Sequence, residues 1–193
     1  MKLKICGVFM PNTKAMRLRL RTLLFEKAYL TGDFVLSSGK HSAHYFDCRR
    51  VTLDPEGLAL ASELLIEKMR QASLAAIGGL AIGADPLVAG VVATSLRLDY
   101  PINGFIVRKE QKQHGTGKKI EGSLIAGTKV AIVDDVVTSG GSIIEAANSC
   151  LSEGLEPAAA YALVDREEGG AEEISRACGL ELEPLFKYSE LFG

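Results

Sequence analysis

Apolar and polar positions along the chain recur with two different periods, and together they predict strands alternating with helices. Val130, Ala131, Ile132 and Val133 form an apolar run, the length of a strand buried on both faces and too short for a buried helix. Asp134 and Asp135 follow at its carboxyl end, then Thr138, Ser139, Gly140, Gly141 and Ser142. After these, Ile143, Ile144, Ala147, Cys150 and Leu151 fall at the spacing of one helix face, so residues 129–146 predict strand, loop and helix. Upstream, Met16, Leu20, Leu23 and Leu24 share a face of a helix from 13 to about 29, with Arg17 and Arg21 on a solvated basic face. Phe34 and Leu36, then Tyr45 and Phe46, predict two strand pieces about a turn at 37–40. Asp54-Pro55 places an acid at the N-cap and proline at the first position of a helix whose apolar face is Leu58, Ala61, Leu65 and Met69. Residues 74–78 read as a strand, 79–84 as a glycine-containing loop and Asp85-Pro86 as a second helix start. Strands at 103–107, 157–164 and 180–187, with a helix closed by Gly154 and another at 171–179, complete the pattern. The expectation is a mostly parallel α/β sheet flanked by helices, with ligands at the strand carboxyl ends.

Four stretches carry candidate chemistry. The hydroxyl and glycine loop at 138–142 opens a helix, where backbone N–H groups and the helix end can hold a phosphate. Asp134 and Asp135 would repel a phosphate, but they suit ribose hydroxyls or a magnesium ion, so a sugar phosphate satisfies both halves. The plainer reading is a strand-to-helix connection with solvated acids. Residues 108–119 hold five Lys or Arg against one Glu, a net charge of +4 with glycine hinges. Such a run is either a solvated loop or a cationic flap that closes over pyrophosphate. Residues 31–51 set Lys40, His41, Arg49 and Arg50 beside aromatics, as a cover for a flat anion or a surface hairpin with a small core. Arg166 stands alone among five acids between 165 and 173, either in surface ion pairs or ready to hold a carboxylate by two parallel hydrogen bonds.

The bulk properties narrow the field without naming a site. A chain of 193 residues, 47% hydrophobic and 24% charged, is expected to be one soluble domain. Its net charge of -2 gives no footprint for nucleic acid or an anionic membrane. Cys6, Cys48, Cys150 and Cys178 are too scattered for a metal or disulfide framework and suit a reduced, cytoplasmic protein. No apolar run is long enough to span a bilayer, and no signal peptide is expected from the first residues. Residues 1–15 are expected to be a variable extension without assigned function.

The run VAIVDDVVTSGG at 130–141 resembles the phosphoribosyl pyrophosphate (PRPP) motif of type I phosphoribosyltransferases. Three further stretches are similar to orotate phosphoribosyltransferases within that family. These are the hood segment FVLSSGKHSAHYFDCR, the flexible-loop signature R-K-E-x-K-x-H-G, and V-D-R-x-E-G-G. The resemblance covers about residues 17–192 and implies the type I fold, with a hood at 16–52, a core at 53–193 and a flexible catalytic loop. It implies that PRPP and orotate give orotidine 5′-monophosphate and pyrophosphate in pyrimidine synthesis, through a transition state with oxocarbenium character. Arg108, Lys109, Lys112 and His114 would then bind PRPP with Asp134, Asp135, Val136, Val137, Thr138, Ser139, Gly140, Gly141 and Ser142. Lys112, His114, Asp134 and Asp135 would be the catalytic set, with His114 carrying a proton or only charge. Thr138, Arg166, Tyr45 and Phe46 would meet orotate. Mg2+ would be held mainly by PRPP, with no firm protein ligand. A homodimer is implied, loop 108–119 completing the neighbouring site. The chain departs from the family where many members place lysines, having Ser37 and Gly83 or Ala84. A transferase for another nucleobase, or a non-catalytic PRPP sensor, are the alternatives.

Overall fold

The computed structural model describes residues 12–35, 41–110 and 119–192. The apolar run at 130–133 is the middle of a longer central strand, β6 (Lys129–Val137), which continues through both aspartates instead of ending before them. Its partner explains the extra length: β7 (Glu156–Asp165) runs parallel to it, with Asp134 opposite Ala162 and Val137 opposite Asp165. With β3 (Ala76–Leu80), β4 (Asn103–Val107), β5 (Ile120–Glu121) and β8 (Leu182–Lys187), these strands form a sheet in the order β5-β4-β3-β6-β7-β8. The pairings are parallel except at the β4–β5 edge. Val130 and Ile132 enter the cluster under α5 (Gly141–Ser152) and α6 (Gly170–Cys178), while Ala131 and Val133 enter the one under α3 (Pro55–Gln71) and α4 (Asp85–Ser95). Burial on both faces is why that strand reads as a continuous apolar run.

Several boundaries move for local reasons. Helix α1 (Thr13–Leu23) passes into a wider turn at Leu24–Ala28, and β1 (Tyr29–Val35) begins there, earlier than the aromatic pattern indicates. Arg17 is not left to solvent: it bonds the Leu185 carbonyl and Glu190 and lies 4.5 Å over the Phe186 ring. β1 pairs antiparallel with β2 (His41–Phe46), Tyr29 opposite Phe46, and the Phe34 and Tyr45 rings stack 5.4 Å apart. Leu36 and the turn at 37–40 lie outside the described residues. A short helix, α2 (Arg49–Thr52), leads to α3, where Asp54 caps as expected by accepting the Gly57 N–H at 3.0 Å. β3 starts two residues later than expected because the Leu74 N–H still bonds Met69 as α3 closes. Asp85 differs from Asp54: Ala84 takes the cap place, and Asp85 is already inside α4 with its Oδ1 buried and unpartnered. On α5, Ala146 is buried and Leu151 is exposed, so the inward face runs Ile143, Ala146, Ala147, Cys150. The chain also forms α7 (Tyr188–Phe192) after β8, which the periodicity did not reveal.

Candidate active site

Parallel strands place their carboxyl ends on one side of the sheet, and the turns that leave β3, β6 and β7 there enclose a cleft of about 810 Å³ together with the end of β2 and the start of α2. Asp134, Asp135, Val136, Thr138, Ser139 and Ser142 line it from β6 and the following loop. Tyr45 and Phe46 reach it from β2, Lys109 from beyond β4, and Arg166 from the end of β7. Val137 turns its side chain into the core on the other side of β6 and does not line the cleft. Gly140 and Gly141 do not line it either, and Gly141 faces a separate hollow beside Lys119 and Glu145. Arg108 is exposed beside Glu121 at 3.5 Å and does not line the cleft. Lys112 and His114 lie outside the described residues.

The half of the cleft at the end of β6 is built by backbone geometry. Gly140 has φ 82°, and a Cβ there would meet the Ile174 side chain at 2.8 Å, so glycine permits both the left-handed turn and the approach to α6. It also brings no side chain to cap α5, leaving the first-turn N–H groups to an anion. Asp134 Oδ1 accepts the Asp135 N–H at 2.9 Å, and Asp135 Oδ1 accepts the Val136 N–H at 3.0 Å. Each acid is therefore oriented by the residue after it. Burial, then the Asp135 charge, pushes the Asp134 carboxyl up to about 7, while the Ser142 hydroxyl pulls the other way. The backbone of Gly83 crosses in front of the pair, where a Cβ would stand 2.6 Å from Asp135 Oδ1 and 2.7 Å from Asp134 Oδ1.

The other half is cationic. Arg166 is 19% exposed, donates from Nη2 to Glu168 Oε1 at 2.8 Å, and has its Nε buried without a partner. Its guanidinium carbon lies 5.9 Å from the centre of the Tyr188 ring. Arg49, one of the cations of the basic patch at 31–51, lines the same cleft, as do Glu168 and Cys48, which the sequence did not mark as site residues. Arg49 is anchored by Asp47 Oδ1, which accepts its Nε–H at 2.9 Å and its backbone N–H at 3.2 Å. The available signals were D-x-R at 47–49 and the acid two places after Arg166. Among the described residues no three His, Cys, Asp or Glu side chains group as a metal set.

A phosphoribosyl transferase domain model matches residues 55–183. The chain is 43% identical over 178 residues to an orotate phosphoribosyltransferase of Aquifex aeolicus, covering 91% of this chain and 97% of that one. Among solved structures it is similar to Mycobacterium tuberculosis orotate phosphoribosyltransferase in complex with Fe(III) dicitrate, at a TM-score of 0.80 and 33% identity, covering 91% of this chain and 98% of that one. The same enzyme in complex with PRPP superposes with a TM-score of 0.76 and 30% identity, over 92% and 99% of the two chains. Sequence, fold and the arrangement of the cleft agree: the chain belongs to the orotate phosphoribosyltransferases of the type I phosphoribosyltransferase family.

Proposed function

We propose that the protein transfers the phosphoribosyl group of PRPP to orotate, giving orotidine 5′-monophosphate and pyrophosphate in pyrimidine biosynthesis. The observation that carries this reading is one cleft holding a half-buried guanidinium opposite a hydroxyl loop and two acids. Orotate N1 forms the new bond to the ribose anomeric carbon and gives up its proton, which ends on the released pyrophosphate or in solvent, while the bond to pyrophosphate breaks with its electron pair going to the leaving oxygen. Asp134 and Asp135 hold the ribose hydroxyls, and Thr138, Ser139 and Ser142 with the first-turn amides of α5 take the 5′-phosphate. Arg166 pairs with the orotate carboxylate between the Tyr45 and Phe46 side of the cleft and Tyr188. Lys109, with Arg108, Lys112 and His114 of the flap, faces the departing pyrophosphate, whose growing charge such groups stabilise. Mg2+ would ride on PRPP oxygens beside Asp134 and Asp135, supplying further charge neutralisation to the leaving group.

The test is a PRPP-dependent loss of orotate absorbance. Turnover of orotate, and not of uracil, adenine or hypoxanthine, is the expected result. Turnover of another base would make this a different transferase, and PRPP binding without any turnover would make it a sensor. We further propose a homodimer in which residues 108–119 act on the partner's cleft, since twelve extended residues reach about 3.3 Å each. Mixing a Lys112→Ala, His114→Ala protein with an Asp134→Asn, Asp135→Asn protein should restore roughly a quarter of wild-type activity. Mixed dimers that stay inactive would place the flap over its own subunit.

A further inference from the structure

The turn after β7 sends two adjacent glutamates in different directions. Glu167 has φ 59°, and its N–H is held by Asp165 Oδ1 at 2.9 Å. Its carboxylate leaves the cleft and accepts the Ser189 N–H at 2.8 Å and hydroxyl at 3.1 Å, tying down the start of α7 next to Tyr188. Glu168 instead lines the cleft and holds Arg166. Because Arg166 Nε is buried, an incoming carboxylate has the two terminal nitrogens to use, and Glu168 already occupies Nη2. A carboxylate that takes both competes with Glu168 at Nη2, and Glu168 has the room to leave, being 48% exposed.

We infer that Glu168 is a resident competitor for the substrate's carboxylate and thereby sets the affinity and selectivity of the base site. The inference rests on the reading of Arg166 as the orotate contact. In the free protein Glu168 neutralises a guanidinium that would otherwise sit half-buried and unpaired. A ligand with a well-placed carboxylate replaces that bond and releases Glu168 to water. A neutral base of similar shape offers no replacement, so it meets a site still closed by the internal ion pair.

The test measures the KM for orotate at saturating PRPP in four proteins: wild type, Glu168→Gln, Arg166→Ala and the double variant. Glu168→Gln should lower the KM roughly three- to tenfold, with the change carried by KM and not kcat. Glu168→Asp, which keeps the charge but is one methylene shorter, should lower it in the same direction. In the Arg166→Ala background the glutamine substitution should change nothing, because the competition runs through the guanidinium. An unchanged or raised KM in Glu168→Gln overturns the inference. So does an equal fall in both backgrounds, which would reduce Glu168 to a general repulsive charge. If Arg166→Ala alone leaves the orotate KM at its wild-type value, the assignment of Arg166 is what has failed, and the inference falls with it.

Discussion

Strands β6 and β7 run side by side, and their last residues, Val137 and Asp165, face each other across the ladder. Each carries a buried aspartate whose Oδ1 accepts a backbone N–H at 2.9 Å, Asp134 from Asp135 and Asp165 from Glu167. What differs is the next charge. After Asp134 comes another acid, so like charges are held together in a buried place, and the carboxyl of Asp134 rises to about 7. After Asp165 comes Arg166, and every charge that follows is braced, Arg166 by Glu168 and Glu167 by Ser189. One strand end holds like charges together at the expense of stability. The other pairs its charges within the chain.

The sharpest way to break this contrast is Arg166→Ala, which should raise the orotate KM by about 2–5 kcal/mol equivalent, roughly 30- to several-thousand-fold, with PRPP use little changed. Equal loss for both substrates would show the arginine to be a structural part of the β7 end. Asp134→Asn should act oppositely on stability and activity. The folded carboxyl, at about 7 against an ordinary 3.8, binds its proton more tightly than the unfolded chain does. Its contribution to stability is therefore fully present below about pH 4 and lost as pH rises through about 7. Ligand-free wild type should melt lower at pH 8.5 than at pH 6 on this account, having lost on the order of 1 kcal/mol of stability between the two. The asparagine variant should lose that slope while using PRPP poorly; a variant that melts lower at every pH would contradict the strained-acid picture. Asp135→Asn, at the more open of the two acids, should raise the PRPP requirement roughly 10- to 150-fold, the loss of one hydrogen-bond set to a charged group. Thermal melting of that protein should be at or above wild type at neutral pH, since a charge that repels Asp134 is gone. The smallest effect is expected from Glu167→Ala at the braced end, a Tm lower by about a degree or two. Hydrogen bonds from Ser189 lower the Glu167 carboxyl below its usual range. That deficit should therefore be present above its unfolded value and vanish as pH falls through the folded one.

What could be read from sequence was what repeats. The strand at 103–107 and the Asp54 cap came out as expected, because period-two burial and a capping acid are local signals. Cleft position was legible where a motif fixed the spacing, as for Asp134, Asp135 and Thr138. The end of β6 was not, since two acids read as a break, and only the pairing with β7 carries the strand through them. The same dipeptide, Asp-Pro, caps α3 and fails to cap α4, because the residues before Asp85 already have helical backbone. Glu168 was not legible because an acid beside an arginine has the same composition on a surface as on a cleft wall.

Gly83 has a consequence for how this protein can drift in sequence. Ala84 is fully buried in the core, so of the two positions at which the sequence resemblance would set one family lysine, 83 is the one that opens on the acids. Any side chain there meets both carboxylates within 3 Å as they now stand. A lysine at 83 would require Asp134 and Asp135 to rotate first, and once they had, its ammonium would offset the charge they share. The new side chain is disfavoured while the acids stand as they do and favoured once they have turned away. Positions 83, 134 and 135 thus form one linked unit of inheritance, in which the fitness of a change at one is set by the posture of the other two.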